Sequence, residues 1–342
     1  MAFSVSQSQM NVLLALWLSL CIDRYLGEPI AAFHPVVWMG KYLQKLGAWI
    51  APESGDPRTE AAMPYFILGM VAWILGAILV LSLSWGFILL MALLPDAYWW
   101  LGAILSAYLL KSLWTWSLLA REVAAVESAL SQSLAAGRER LSYLVSRDVT
   151  QLDAVTVRES AIETLAENLN DSVVSPLLWF AFAGLPGAAL YRFANTADAM
   201  WGYRGERGGR VWTWAGKWAA RTDDVLSWPG ARLTAALLYL AAWHRPRLNL
   251  LNEVTKTDSP NGGWPMAAMA LILNVRLAKP GTYVLHETGY LAQSKDTVRA
   301  IQLGQTVTYL CCVLISIVCF LMNAFDGSPH FILAIWGLWS AL

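Results

Sequence analysis

The apolar run from Pro64 to Leu94 carries no charged side chain and exceeds the roughly 20 residues that a helix needs to cross a bilayer. Only lipid or other protein can cover such a run, so the chain folds as helices in a membrane. A second apolar stretch, 97–120, follows Pro95 and Asp96, which predicts a helical hairpin with a tight turn. Residues 300–324 make a further span and Phe331–Leu342 a short return. Weaker candidates lie at 172–194, 229–243 and 264–277. The run from Val12 to Ile22 is short for a span and has no basic start, so it reads as a retained membrane segment, not a secretory signal.

Composition points the same way: of 342 residues 57% are hydrophobic and 19 are Trp, with a mean hydropathy of +0.47, beyond any ordinary soluble domain. Zero net charge and the absence of any nucleic-acid motif exclude a nucleic-acid partner. Cys21, Cys311, Cys312 and Cys319 lie in apolar runs without a CxxC pair, which speaks for packing over a disulfide framework or zinc. No repeat or linker divides the chain. The expectation is one all-α, polytopic integral membrane domain over 1–342, with polar stretches at 121–171 and 195–263. Every Lys and Arg lies between Arg24 and Arg299, mostly in the polar stretches, and the positive-inside rule assigns these to the cytoplasm. Segment 172–194 then begins and ends on one side, so it is broken or re-entrant, with Gly184-Leu185-Pro186-Gly187 as the break.

Chemistry concentrates in the polar stretches. Glu159, Glu163, Glu167 and Asp171 recur every fourth residue, beside an apolar stripe of Val155, Ile162, Leu165 and Leu169. Carboxylates on successive turns repel, so this helix needs a cation, a basic partner or a substrate; the alternative is a solvated acidic face. Thr150 and Asp153 mark its start, and Pro176 marks an interruption. After the break come Tyr191, Arg192, Asn195, Thr196, Asp198, Tyr203 and Arg204, with Arg192, Asn195 and Asp198 on one helical face. Together with the acidic helix they suit a magnesium-type cation, which takes oxygen ligands and bridges to phosphates; a helix cap is the plainer alternative. Arg204, Arg207, Arg210, Lys217 and Arg221 suit phosphate oxygens, or equally anionic lipid headgroups. Gly216-Lys217 is no phosphate-binding loop, because Trp218 replaces the required hydroxyl residue. His34, ahead of Pro35, is a candidate for proton exchange. Ser259 to Pro265 is a turn-rich loop able to offer backbone donors or an aromatic wall.

In order and spacing, His34-Pro35 with Gly40, Arg147-Asp148, Glu159-Ser160 to Glu167-Asn168, Asp171 with Pro176, Gly184 to Arg192, Asn195-Thr196 with Asp198, Gly202-Tyr203-Arg204, Arg221 with Asp223-Asp224, and Ser259-Pro260-Asn261 with Gly263-Trp264-Pro265 resemble the adenosylcobinamide-phosphate synthase family of cobalamin biosynthesis. The similarity covers most of residues 20–280; Met266 stands where an acidic residue is expected. The resemblance implies an inner-membrane, multi-pass enzyme with its site facing the cytoplasm. It would join a corrinoid, adenosylcobyric acid, to aminopropanol or its phosphate through an amide, with ATP as co-substrate and magnesium as cofactor. It implies catalytic roles for His34, Glu163, Glu167 and Arg192. Nucleotide or phosphate contacts would fall to Arg147, Asn195, Arg204, Lys217 and Arg221, and metal contacts to Glu163, Glu167, Asp171 and Asp198. Membrane lipid and other cobalamin-assembly enzymes are the implied neighbours. A prenyl or lipid transferase using magnesium diphosphate is the competing reading, and a membrane sensor or transporter a third.

Overall fold

The structure, a computed structural model, describes residues 7–56, 62–243 and 249–324; the expected return at 331–342 lies outside the described residues. The architecture is the expected all-α membrane fold. Three helices, Ala62–Ala92, Ala154–Trp201 and Ser294–Leu321, are long and apolar enough to cross a membrane. Cα packing gathers the chain into two compact units, each of separated segments: Met1–Trp114, Pro176–Leu226 and Ile315–Leu342, and Thr115–Ser175 with Ser227–Leu314. No linker in the sequence marks this division.

The first unit holds α1 (Gln7–Tyr25), α2 (Pro35–Ile50), α3 (Ala62–Ala92), α4 (Trp99–Lys111) and nearly all of α8 (Ser175–Trp201). α1 packs along α4, and the Trp114 indole donates to Ser19 Oγ across 3.2 Å. The predicted span 97–120 is corrected here: its helix stops at Lys111, and α5 (Ser117–Gln132) starts separately in the second unit. The reason is the ammonium of Lys111, which is wholly buried and reaches Glu28 at 2.8 Å, Asp23 at 3.3 Å and the Trp114 carbonyl at 3.3 Å. A buried cation must be paired, and satisfying it turns the chain. Within α8 the helix breaks at Ala183 and Gly184, the latter at φ 61° and ψ −154°, a backbone region essentially confined to glycine. The expected broken segment is therefore present, centred where the Gly-Leu-Pro-Gly sequence begins. A short antiparallel hairpin of β1 (Glu206–Arg207) and β2 (Arg210–Val211) follows, then the start of α9 (Lys217–Ala241).

The second unit is built around α7 (Ala154–Leu169), which packs against α5, α6 (Leu134–Ser142), α11 (Gly263–Leu273) and β3 (Leu277–Lys279). β3 pairs antiparallel with β4 (Tyr283–Leu285), with Lys279 opposite Tyr283. The later part of α9 from Ser227, α10 (Leu250–Val254) and the first part of α12 (Ser294–Ala324) belong to it as well. The start of α7 is as read from sequence: Asp153 Oδ1 accepts from the Thr156 N–H and hydroxyl, both at 2.7 Å, which holds its carboxyl below the usual carboxylate range. Interruption near Pro176 takes the form of a π-helical turn, Asn170–Val174. Its looser winding leaves carbonyls to be satisfied elsewhere, and the Thr115 N–H reaches the Ser172 carbonyl at 2.8 Å. Ile162, Leu165 and Leu169 are fully buried as the stripe predicts, but so are Glu159 and Ser160. The helix is enclosed on nearly every side, and its acids are not a solvated face.

Candidate functional site

Burial decides what the acids of α7 do. Glu159 is wholly buried; it accepts from Arg276 Nε at 3.1 Å, from Arg276 Nη2 at 3.5 Å and from the Ala278 N–H at 3.2 Å. It ties α7 to the β3–β4 hairpin. One turn on, Glu163 is 5% exposed; its Oε1 accepts from the Tyr283 hydroxyl at 2.6 Å and its Oε2 faces Arg147 Nη2 at 3.3 Å. Burial, then the charge of Glu163 and the hydrogen bond to it, push the Tyr283 phenol well above its ordinary range, so it stays a donor. Arg147 thus has one nitrogen committed to Glu163, whereas its buried Nε and Nη1 have no hydrogen-bond partner among the described residues. Such donors cost free energy unless an acceptor arrives, and charged guanidinium N–H groups suit the oxygens of a carboxylate or phosphate.

Glu167 and Asp171 continue the row on partly exposed turns. Asp171 Oδ1 accepts from Asn170 Nδ2 at 2.7 Å, and Asn170 Oδ1 in turn accepts from the Ser175 hydroxyl at 2.7 Å. The loop before α11 comes up beside them: a Cβ on Gly262 would stand 3.2 Å from Glu167 Oε1. Ser259 Oγ accepts from the N–H groups of Asn261 and Gly262. Arg232 holds this loop through Asn261 Oδ1 at 2.8 Å and the Pro260 carbonyl at 3.2 Å, its guanidinium lying over the rings of Trp228 and Trp264 at 4.4 and 4.8 Å. The 260s loop therefore borders the acidic row, and Met266 places its sulfur 3.7 Å from the Tyr283 hydroxyl.

The other sequence candidates belong to the first unit. On α8 Asn195 Nδ2 reaches Asp223 Oδ1 at 3.4 Å, and Asp198 lies within electrostatic reach of Asp224. Burial raises the Asp224 carboxyl despite the opposing pull of Arg221, 3.7 Å away, and Arg204. Lys217 stands over the Trp214 ring at 4.1 Å. Arg192 is half-buried on α8. His34, at the N-terminus of α2, places Nε2 3.5 Å from Glu28 Oε2. Of the residues expected together, the structure joins Arg147, Glu163, Glu167 and Asp171 in the second unit, and Asn195, Asp198, Arg204 and Arg221 in the first. Among the described residues no three His, Cys, Asp or Glu side chains gather as a metal site.

Arg276 and Tyr283 were missed by the sequence reading. A signal existed: Pro280-Gly281 is a turn dipeptide between two short runs rich in apolar and β-favouring residues.

The profile of the CobD/Cbib protein family matches residues 16–324, a longer stretch than the 20–280 over which the motifs fall. A protein of Methanothermobacter thermautotrophicus described as a probable cobalamin biosynthesis protein CobD is 36% identical over 284 residues, covering 81% of this chain and 87% of its own. The Thermococcus kodakarensis protein of the same description is 38% identical over 297 residues, 86% and 91% of the two chains. A Rhizobium meliloti protein described as cobalamin biosynthesis protein CobD is 33% identical over 323 residues, 88% and 94%. No solved structure shows significant similarity.

Proposed function

This chain belongs to the CobD/CbiB protein family of cobalamin biosynthesis, and on that premise we propose that it is the ATP-dependent ligase that joins adenosylcobyric acid to aminopropanol or its phosphate through an amide bond. The observation that supports this reading is Arg147, whose buried Nε and Nη1 await an anionic acceptor while Glu163 fixes its third nitrogen. A carboxylate is a poor acyl donor in water, so it must first be activated. The propionate oxygen attacks the γ-phosphorus of ATP and ADP leaves. The amine then attacks the carbonyl carbon, inorganic phosphate leaves and the ammonium proton is lost.

In this reading Arg147 clamps the carboxylate or the phosphoryl oxygens, and Tyr283 keeps Glu163 oriented toward it. Glu167 and Asp171 are the residues that would hold magnesium, which offsets charge on phosphate oxygens when bound. Among the described residues no larger set of carboxylates gathers around them, so a magnesium ion held there would draw on substrate phosphate and water as well, the usual habit of magnesium. Purified protein incubated with magnesium, adenosylcobyric acid, aminopropanol phosphate and ATP should raise the corrinoid mass by that of the amine less water. An unchanged corrinoid, with transfer of a prenyl group from a diphosphate donor, would move the assignment to the transferase.

We place the protein in the bacterial inner membrane as a multi-pass chain, with the polar stretches facing the cytoplasm and other cobalamin-assembly enzymes; the restriction of Lys and Arg to residues 24–299 motivates this. Single cysteines at Ser142 and Gly205, in an otherwise cysteine-free chain, should react with an impermeant maleimide only from the cytoplasmic side of sealed vesicles. Labelling of either from outside would refute the topology.

A further inference from the structure

The first unit contains a cavity of about 330 Å³ that the proposed chemistry leaves unused. One wall is a single stripe of α3 from Gly76 to Phe87, and the opposite wall is α2 at Pro35, Trp38, Met39 and Tyr42; α4 and α8 supply apolar side chains between them. Its few polar groups are already engaged: the Ser84 hydroxyl donates to the Val80 carbonyl and the Tyr42 hydroxyl to the Ala72 carbonyl. Three wall residues, Trp38, Leu79 and Leu83, are at the same time 50%, 47% and 62% exposed. The cavity therefore opens sideways from α3, a helix long and apolar enough to cross a membrane, so its mouth gives onto hydrocarbon.

Charge stands at both ends, but in different states: beside Pro35, Leu109 and Leu113 the groups His34, Glu28, Asp23 and Lys111 engage one another, whereas at the other end two ammonium groups are left over. The Tyr42–Ala72 hydrogen bond sets α2 and α3 side by side, so the α2 turns beyond Tyr42 leave the cavity. Lys45 is exposed on those turns and Lys41 on the turn of Tyr42 itself; both share a helix side with Trp38 and make no ion pair among the described residues. That end of α2 also adjoins polar structure, since Arg210 of the β1–β2 hairpin donates to the Ala51 carbonyl at 2.6 Å. A dry slot, open to hydrocarbon and ending at two unpaired ammonium groups beside an exposed Trp, matches an amphiphile of negative headgroup. We infer that the first unit binds one anionic membrane phospholipid, with a hydrocarbon chain in the α2–α3 cavity and its phosphate on Lys41 and Lys45. The volume lies within the range of small-molecule sites.

Native mass spectrometry of the detergent-purified full chain, offered phosphatidylglycerol or phosphatidylcholine of identical chains, tests this. Phosphatidylglycerol should be retained as a single adduct in preference to phosphatidylcholine. The double variant Lys41→Gln/Lys45→Gln should lose that adduct by roughly 30-fold, since each lysine beside an anionic headgroup contributes about fivefold. Lys41→Arg/Lys45→Arg should keep it. Leu83→Trp, at an exposed wall position where the larger ring needs no core rearrangement, should lose adducts of both lipids. Equal retention of the two lipids by the wild type overturns the inference. So does an unchanged adduct in the glutamine or tryptophan variant, loss in the arginine variant, or displacement by inorganic phosphate alone.

Discussion

Glu163→Ala is expected to lower amide formation by roughly 10²–10³-fold at saturating magnesium and ATP, the range seen when one preorganised charge-stabilising contact is removed. The substitution does more than delete a carboxylate. Arg147 loses its hydrogen bond to Glu163 and Tyr283 its carboxylate acceptor, so the clamp is free to swing out of register with the reacting carboxyl. Loss should therefore fall on kcat as well as KM, as for an interaction used in the transition state. Tyr283→Phe, which leaves the Arg147–Glu163 contact in place, should cost far less. Steady-state kinetics with mass detection of the corrinoid decide the matter, alongside circular dichroism to show retained helix. Near-wild-type turnover in Glu163→Ala would reduce the pair to a packing contact and remove the main support for the ligase site.

Arg276→Ala should destabilise the protein by about 3–5 kcal/mol, and by clearly more than Glu159→Gln. The asymmetry follows from burial: Arg276 is 33% exposed, whereas Glu159 is 0% exposed. Removing the arginine strands a buried carboxylate with a single backbone donor, the Ala278 N–H. Neutralising the glutamate instead leaves a guanidinium whose head can turn to water. Thermal unfolding midpoints in detergent, taken for both variants and the double, provide the comparison. Equal shifts, or a larger one for Glu159→Gln, would contradict the assignment of the buried charge.

The sequence spoke most clearly where a local rule acts alone. Long apolar length gave α3 and α12, the Asp153 cap gave the start of α7, and Gly184 gave the break in α8, because each depends on neighbours in sequence. It failed where a distant partner decides. The stretch 97–120 is apolar enough for one span, yet it ends at Lys111, whose partners Asp23 and Glu28 lie more than 80 residues earlier. For the candidate site, the four-residue spacing located Glu159, Glu163, Glu167 and Asp171 but could not sort them. Two proved to be tied into the hairpin, by Arg276 just ahead of β3 and Tyr283 at the start of β4, strands of three residues too short to show alternation. The remaining two border the 260s loop, an adjacency fixed by Arg232 between two indoles, which no spacing encodes.

The hairpin also makes α7 a gauge. Glu159 and Glu163 are one helical turn apart, about 6 Å of rise, and they engage Arg276 just ahead of β3 and Tyr283 at the start of β4. With Lys279 opposite Tyr283 there is one strand alignment at which both contacts are met. A slip of a single residue turns each side chain to the other face of the ribbon. A β4 slipped against β3 would thus lose the Tyr283 anchor even with Arg276 still on Glu159, and would leave the buried Glu163 without that donor. The helix turn in effect proofreads the strand pairing, so a three-residue ribbon too short to specify its own alignment acquires one from the spacing of two carboxylates.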